Sequence, residues 1–227
     1  MELFFEEIVQ EGWLIADLGC GAKGSEWYHK LPDNCVIDGY DLFFPPNHQL
    51  NNFNFFQEDV TKLYNKSDLK NKYDLVVADN IFEHVKEPEE LAYSINHILK
   101  MGGLTHIGIP DSTNITDKLY RLIHPDGGGH IQQFTRGSFI SLMNRNGLDL
   151  VNMREWPDDW TWLSENFSLD DYNVTHLTNS ELQFIAKVLK KEFTLQKGYF
   201  YGWEFMFVKV NEEPLQSFIN RVIEKIK

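Results

Sequence analysis

Leu14-Ile15-Ala16-Asp17-Leu18-Gly19-Cys20-Gly21-Ala22-Lys23-Gly24 is the stretch on which the fold turns. A short, mostly apolar run suited to one buried strand passes straight into a glycine-dense turn. Glycine takes positive φ without penalty and, lacking a Cβ, lets a ligand lie against the main chain. Gly19, Gly21 and Gly24 spell G-x-G-x-x-G, the dinucleotide fingerprint. Spacing alone does not choose between a nicotinamide dinucleotide and another nucleoside cofactor. The carboxylates around the turn carry that choice.

Outward from this turn, short apolar strands alternate with helical segments over roughly the first 150 residues, the pattern of a parallel sheet covered by helices. Further strands are expected at Cys35–Asp41, Phe53–Gln57, Asp74–Asp79, Leu104–Pro110, Leu148–Arg154 and Tyr201–Val210, with a turn at Met101-Gly102-Gly103. The spacing of Leu91, Ile95, Ile98 and Leu99 behind Pro88, Glu89 and Glu90 predicts a helix whose acidic first turn suits the positive end of its dipole. A second helix begins near Thr135 and stops at Gly147. The expected fold class is α/β, Rossmann-like and doubly wound, with a mostly parallel seven-stranded sheet and an antiparallel last strand.

Two segments stand outside the alternation. An insertion of about forty residues, 156–200, separates the last two strands, opening with Trp156, Trp160 and Trp162 and containing a helical stretch from Ser180 to Glu192. The tail carries Leu215, Phe218, Ile219, Val222, Ile223 and Ile226 at helical period. The expected organisation is a core over 1–155, an insertion or lid over 156–200, a last strand over 201–210 and a C-terminal amphipathic helix over 211–227. The tail helix or the insertion is the expected surface of a homodimer, if one forms.

Composition narrows the partners. A net charge of −13 and a pI of about 5.0 oppose binding to phosphate backbones, so no nucleic-acid substrate is expected. No apolar run reaches the ~20 residues of a membrane span, and the first residues lack the pattern of a signal peptide, so cytoplasmic residence is the default. The two cysteines, Cys20 and Cys35, are too few for a disulfide framework or a zinc site and read as reduced structural thiols.

Four acids fall at the carboxyl ends of the expected strands, the edge where such sheets bind ligands: Asp17, Asp41, Asp59 and Asp79. Asp41 alone would suit a dinucleotide ribose. Four carboxylates around one cleft suit a cofactor with an ammonium, a sulfonium, a ribose diol and an adenine amine, namely S-adenosylmethionine (SAM). The chain resembles the class I SAM-dependent methyltransferases, most of all the small-molecule branch often labelled methyltransferase type 11. The resemblance rests on D-L-G-C-G at Asp17–Gly21, Asp41, E-D-V at Glu58–Val60, Y-D-L-V-V-A-D-N-I-F-E-H-V at Tyr73–Val85, I-L-K-M-G-G at Ile98–Gly103 and G-H-I-Q-Q-F-T at Gly129–Thr135. It covers about residues 13–155.

That resemblance implies roles. Asp17 would organise the glycine loop and the methionine ammonium, with Gly19 and Gly21 admitting the methionine portion. Asp41 would accept from the ribose hydroxyls and Asp59 from the adenine amine, with Val60 against the ring. The backbone around Asp79 and Asn80 would border the methyl donor. The sequence departs from the family at Lys23, where a third glycine is usual, and in its short lead into the first strand, which leaves the 156–200 insertion to close the cleft.

Methyl transfer is a displacement at a sulfonium methyl, so the protein mainly aligns the acceptor and excludes water; a base is needed only for a protonated acceptor. His130 and His84 are the candidate bases, because the matched segments put both on the substrate side and histidine titrates near neutrality. His84 reads equally well as a structural histidine; His124 and Asp111 are weaker candidates. His124, Asp126 and His130 match no strong metal signature, and no metal is expected. Trp156, Trp160 and Trp162 read first as an aromatic cluster fixing the insertion and second as a wall for an acceptor. The expected function is SAM-dependent methylation of a small-molecule acceptor. The alternatives are a SAM-binding or partner-binding module without catalysis and, less favoured, an NAD(P)-dependent oxidoreductase.

Overall fold

β1 (Leu14–Leu18) is buried from Ile15 to Leu18, which a strand achieves only with neighbours on both edges and cover on both faces. The computed structural model describes residues 5, 8–21, 26–43, 52–123, 128–157, 178, 180–181, 183–184, 187 and 200–211. In it β1 pairs in parallel with β2 (Val36–Asp41) on one side. β3 (Phe53–Gln57) continues the sheet beyond β2, again in parallel. On the other side of β1 stands β4 (Tyr73–Val77), followed by β5 (Leu99–Pro110), both parallel. β6 (Leu148–Pro157) and β7 (Phe200–Lys209) complete a seven-stranded sheet of order β3-β2-β1-β4-β5-β7-β6, with β7 antiparallel to both its neighbours. The mostly parallel sheet with an antiparallel last strand is the expected architecture.

Strand side chains alternate between two cores, as the two-residue period requires. Ala16, Leu18, Tyr40 and Val76 face one layer with Leu91, Ile95, Phe139 and Phe205, while Ile15, Ile37, Leu75 and Val77 face the other with Phe5 and Trp27. The first layer is supplied by α1 (Pro88–Ile98), with Pro88 in its first turn and Leu91, Ala92, Ile95 and Ile98 buried. α2 (Ile115–Ile123) was not among the expected elements, although Ile115, Leu119, Leu122 and Ile123 fall at i, i+4, i+7 and i+8, the spacing of one helical face. α3 (Arg136–Arg145) begins with a reciprocal cap between Thr135 and Ser138, and Gly147 follows it at φ +76.

β5 begins earlier than expected. The Met101-Gly102-Gly103 segment lies within the strand, and the mismatch is absorbed by a register shift opposite Tyr73 and Leu75. At the far end of β7, buried Lys209 closes the carboxyl end of α1: its Nζ donates to the carbonyls of Asn96 (2.7 Å) and Leu99 (2.9 Å) and to Asn71 Oδ1 (2.7 Å).

Lys23 and Gly24, His124 and Asp126, Trp160 and Trp162, and the tail from Pro214 onward lie outside the described residues. So does most of the 156–200 insertion; within it Ser180, Glu181, Gln183, Phe184 and Lys187 are helical, and Thr178 and Glu181 cap one another. Among the described residues no helix is long and apolar enough to cross a membrane.

Candidate functional site

The sheet's carboxyl edge gathers the expected residues, but their side chains take different tasks. Gly19 and Gly21 sit at φ +78 and φ +63, so the turn needs glycine at both. A Cβ on Gly19 would come within 2.7 Å of Ile81 Cδ1, whereas one on Gly21 would meet nothing within 4 Å. The loop is therefore closed toward Ile81 and open over Gly21. It is fastened to β2 by the Gly19 N–H, which donates to the Tyr40 carbonyl (2.8 Å), and the Gly21 N–H, which donates to Asp41 Oδ2 (2.9 Å).

Asp41 is held from a second side by the Phe43 N–H on Oδ1 (3.0 Å). Each carboxylate oxygen has a second lone pair, so the group is oriented without being saturated. Asp59 caps the 3-10 helix Val60–Asn65, and both of its bonds, from the Thr61 N–H (2.9 Å) and hydroxyl (2.7 Å), fall on Oδ1. Oδ2 has no hydrogen bond among the described residues. Val60 is 5% exposed and belongs to the core.

A cleft of about 300 Å³ joins these groups. Asp41, Leu42 and Phe43 form one wall, with Asp59 and Val60 behind them. Gly19, Asn80 and Ile81 form the other, and His84 and Val85 close its end. Leu42 and Phe43 expose apolar side chains there, at 53% and 72%. A cleft of about 370 Å³ at the opposite, amino edge is lined by Trp13, Asp74 and Lys100. Its carboxylate and ammonium already pair at 2.7 Å, so it offers little chemistry.

Asp17 and Asp79 do not line the cleft. Asp17 is buried beneath the glycine turn, where its Oδ2 accepts from the Tyr28 hydroxyl. Asp79 turns toward β5: its Oδ1 accepts from the Gly108 N–H (2.9 Å) and lies 3.0 Å from His106 Nδ1. Asn80 does line it, at φ +53, with its N–H donating to the Gly108 carbonyl (3.0 Å). Asp111 is spent on structure, since Oδ1 accepts from Thr113 and Oδ2 from the Trp203 indole (2.6 Å). Trp156 packs edge-on to Tyr201 and over Gly108, at the same sheet edge. Cys20 is buried beside Asp17 and Asp41, and burial pushes its thiol up to about 12.

The two candidate histidines come together. Their ring centroids lie 4.9 Å apart. His84 Nδ1 lies 3.0 Å from the Gly129 carbonyl, and burial lowers its pKa below the usual imidazole value. His130 is buried, stacks on Tyr120 and sets Nδ1 3.0 Å from Asp117 Oδ1. Asp117 is itself fully buried and accepts from Arg121 Nε (2.6 Å) through its other oxygen. Arg121 also donates to the carbonyls of His130 and Gln132, stitching the loop after α2 to its own helix. Beside this pair Glu83 is fully buried, and burial pushes its carboxyl up to about 8. Asp117, Arg121 and Glu83 were missed from sequence. The i,i+4 spacing of Asp117 and Arg121 was the available sign of the first two.

Residues 11–153 match the family model described as Methyltransferase domain. No curated protein sequence matches the chain. Among solved structures it is similar to a candidate sarcosine dimethylglycine methyltransferase from Galdieria sulphuraria (16% identity, TM-score 0.61), over 90% of this chain and 81% of that one. It is also similar to the Burkholderia thailandensis 1,6-didemethyltoxoflavin-N1-methyltransferase with bound 1,6-didemethyltoxoflavin and S-adenosylhomocysteine (12%, TM-score 0.55), over 88% and 72%. A third, the [4+2]-cyclase SpnF, gives 12% and 0.60, over 89% and 76%. Likeness at such identities shows the fold alone, and one fold hosts several chemistries. The family model, which spans more than half of the chain, is the stronger finding.

Proposed function

The chain belongs to the methyltransferase-domain family and is a class I SAM-dependent methyltransferase; we propose that its acceptor is a small molecule, held at the His84 end of the cleft. The observation that carries this reading is that one cleft is shared by the cofactor-type carboxylates Asp41 and Asp59 and by His84. The donor set fits the cofactor. An oriented Asp41 with spare lone pairs suits a ribose diol, Oδ2 of Asp59 suits an adenine amine beside Val60, and the open space over Gly21 suits a ligand close to the backbone.

SAM supplies an electrophilic methyl on a sulfonium sulfur. The chain's own work is alignment and proton handling. In this reading Gly19 and Gly21 admit the methionine portion. Asp17 holds the turn from beneath through Tyr28, and Asn80 borders the donor with its backbone. His130, with Nδ1 turned to Asp117, keeps Nε2 for a proton or a ligand, and His84 stays neutral near pH 7 for the same use. Trp156 and Tyr201 offer aromatic faces to an acceptor on the β5 side.

A small acceptor is supported by the net charge of −13, which disfavours nucleic acid. The neighbour that holds 1,6-didemethyltoxoflavin supports it from another direction. The test is a screen with methyl-labelled SAM against a metabolite extract, intact protein and total RNA. Label in the low-molecular-weight fraction is the expected result; label confined to protein or RNA overturns the proposed acceptor class.

A further inference from the structure

We infer that Glu83, His84 and His130 form a binding site for one divalent transition-metal ion at the acceptor end of the cleft. It rests on the reading above only for where the acceptor lies; the ligand geometry stands by itself. One ligand atom from each of the three lies within 4.8 Å of the other two. Two imidazoles and a carboxylate suit Zn²⁺, Mn²⁺ or Fe²⁺, and three protein ligands leave an open position.

The histidines are oriented as metal ligands are. His84 Nδ1 faces a carbonyl and His130 Nδ1 a carboxylate, both pure acceptors, so each Nδ1 carries the proton. Each neutral ring is then left with its lone pair on Nε2. An outer carboxylate or carbonyl fixing the tautomer in this way is the usual support of a metal-bound histidine.

Glu83 supplies a second, independent observation. Its carboxylate is fully buried, and neither oxygen has a hydrogen-bond partner. A carboxyl so desolvated is disfavoured in its charged form, and a cation set against its unpartnered oxygens would offset that penalty. The nearby cation, Arg121, is committed: Nε to Asp117, the two terminal nitrogens to the carbonyls of His130 and Gln132.

The movement needed is small. Metal–nitrogen bonds of about 2.1 Å put tetrahedral ligand atoms about 3.4 Å apart, so separations within 4.8 Å must contract by up to about 1.4 Å. His84, with 39% of its side chain exposed, has room to turn, and it also lines the cleft, so the open position faces the acceptor.

The test uses the full chain stripped with a chelator and titrated by calorimetry with Zn²⁺, Mn²⁺ and Mg²⁺, with Co²⁺ as an optical probe. The expected result is one equivalent of Zn²⁺ or Mn²⁺, weak or no Mg²⁺ binding, and visible d–d bands with Co²⁺. Glu83→Gln, which keeps the shape, and His84→Ala, at a half-exposed position, should each weaken binding at least tenfold, while His29→Ala leaves it unchanged. Absence of stoichiometric binding, or equal affinity in Glu83→Gln and His84→Ala, overturns the site. S-adenosylhomocysteine affinity, measured on the same samples, should stay within twofold; its absence in the unmodified chain would count against the cofactor reading and not against the metal site.

Discussion

Asp117 Oδ1 and His130 Nδ1 lie 3.0 Å apart with both side chains buried, and Arg121 fills the other oxygen of the carboxylate. The pair fixes which nitrogen of His130 faces the cleft cluster. In Asp117→Asn only the amide oxygen can meet Arg121, so the amide N–H is turned to Nδ1 and the ring proton moves to Nε2. We predict that kcat and Zn²⁺ affinity each fall at least tenfold, while KM for SAM changes less than twofold. Unchanged kcat and metal affinity would remove Asp117 from this positioning role. Asp117→Ala should also cost about 3 kcal/mol of stability, because the partly buried Arg121 guanidinium and the buried His130 both lose their partner; urea unfolding reads this directly.

Gly19 is limited both by its φ of +78 and by the 2.7 Å approach to Ile81 Cδ1. Gly19→Ala should weaken S-adenosylhomocysteine binding at least tenfold. Adding Ile81→Ala relieves the collision but not the left-handed backbone, so the double variant should recover only part of the loss. Full recovery would show that backbone conformation is irrelevant at this position.

Both thiols should be silent in the folded chain. Burial, with smaller contributions from Asp17 and Asp41, raises Cys20 to about 12, and burial raises Cys35 as well. Raising a thiol's pKa shrinks its reactive thiolate fraction at any lower pH; for Cys20 at pH 8 this is on the order of one part in ten thousand. A thiol-reactive dye at pH 8 should label neither cysteine natively and both after denaturation. Rapid native labelling of Cys20 would contradict the burial.

Lys209→Met should destabilise the fold by about 1–3 kcal/mol, since it strands the carbonyls of Asn96 and Leu99 that the ammonium now satisfies. A midpoint of urea unfolding equal to that of the unmodified chain would refute the cap.

The sheet was legible because its strands are short apolar runs ending in acids and glycines, and all seven appear where those runs lie. Two strand boundaries differ clearly. β5 starts early, because a glycine pair that reads as a turn is carried within the strand by a register shift. β6 runs on through Trp156 to Pro157, expected as the start of the insertion, because β7 continues to pair with it. For the candidate site, residue type at the carboxyl edge was enough to expect Asp41, Asp59 and Asn80 there, and all three line the cleft. It could not show that Asp17 points down to Tyr28 or that Asp79 points across to Gly108, because side-chain direction at a strand end is set by what the neighbouring strand offers. Glu83 was hidden for another reason. In F-E-H nothing marks the glutamate as buried until α2 and the loop through His130 close over it.

The central claim is that this cleft binds SAM through Asp41, and calorimetric titration of the full chain and of Asp41→Ala with S-adenosylhomocysteine and with NAD tests it most directly. The account predicts one-to-one binding of S-adenosylhomocysteine and no binding of NAD. It also predicts that folded Asp41→Ala binds more weakly by roughly 1–3 kcal/mol, about tenfold to a hundredfold. Tight NAD binding without S-adenosylhomocysteine binding, or equal affinity in the variant, would contradict it.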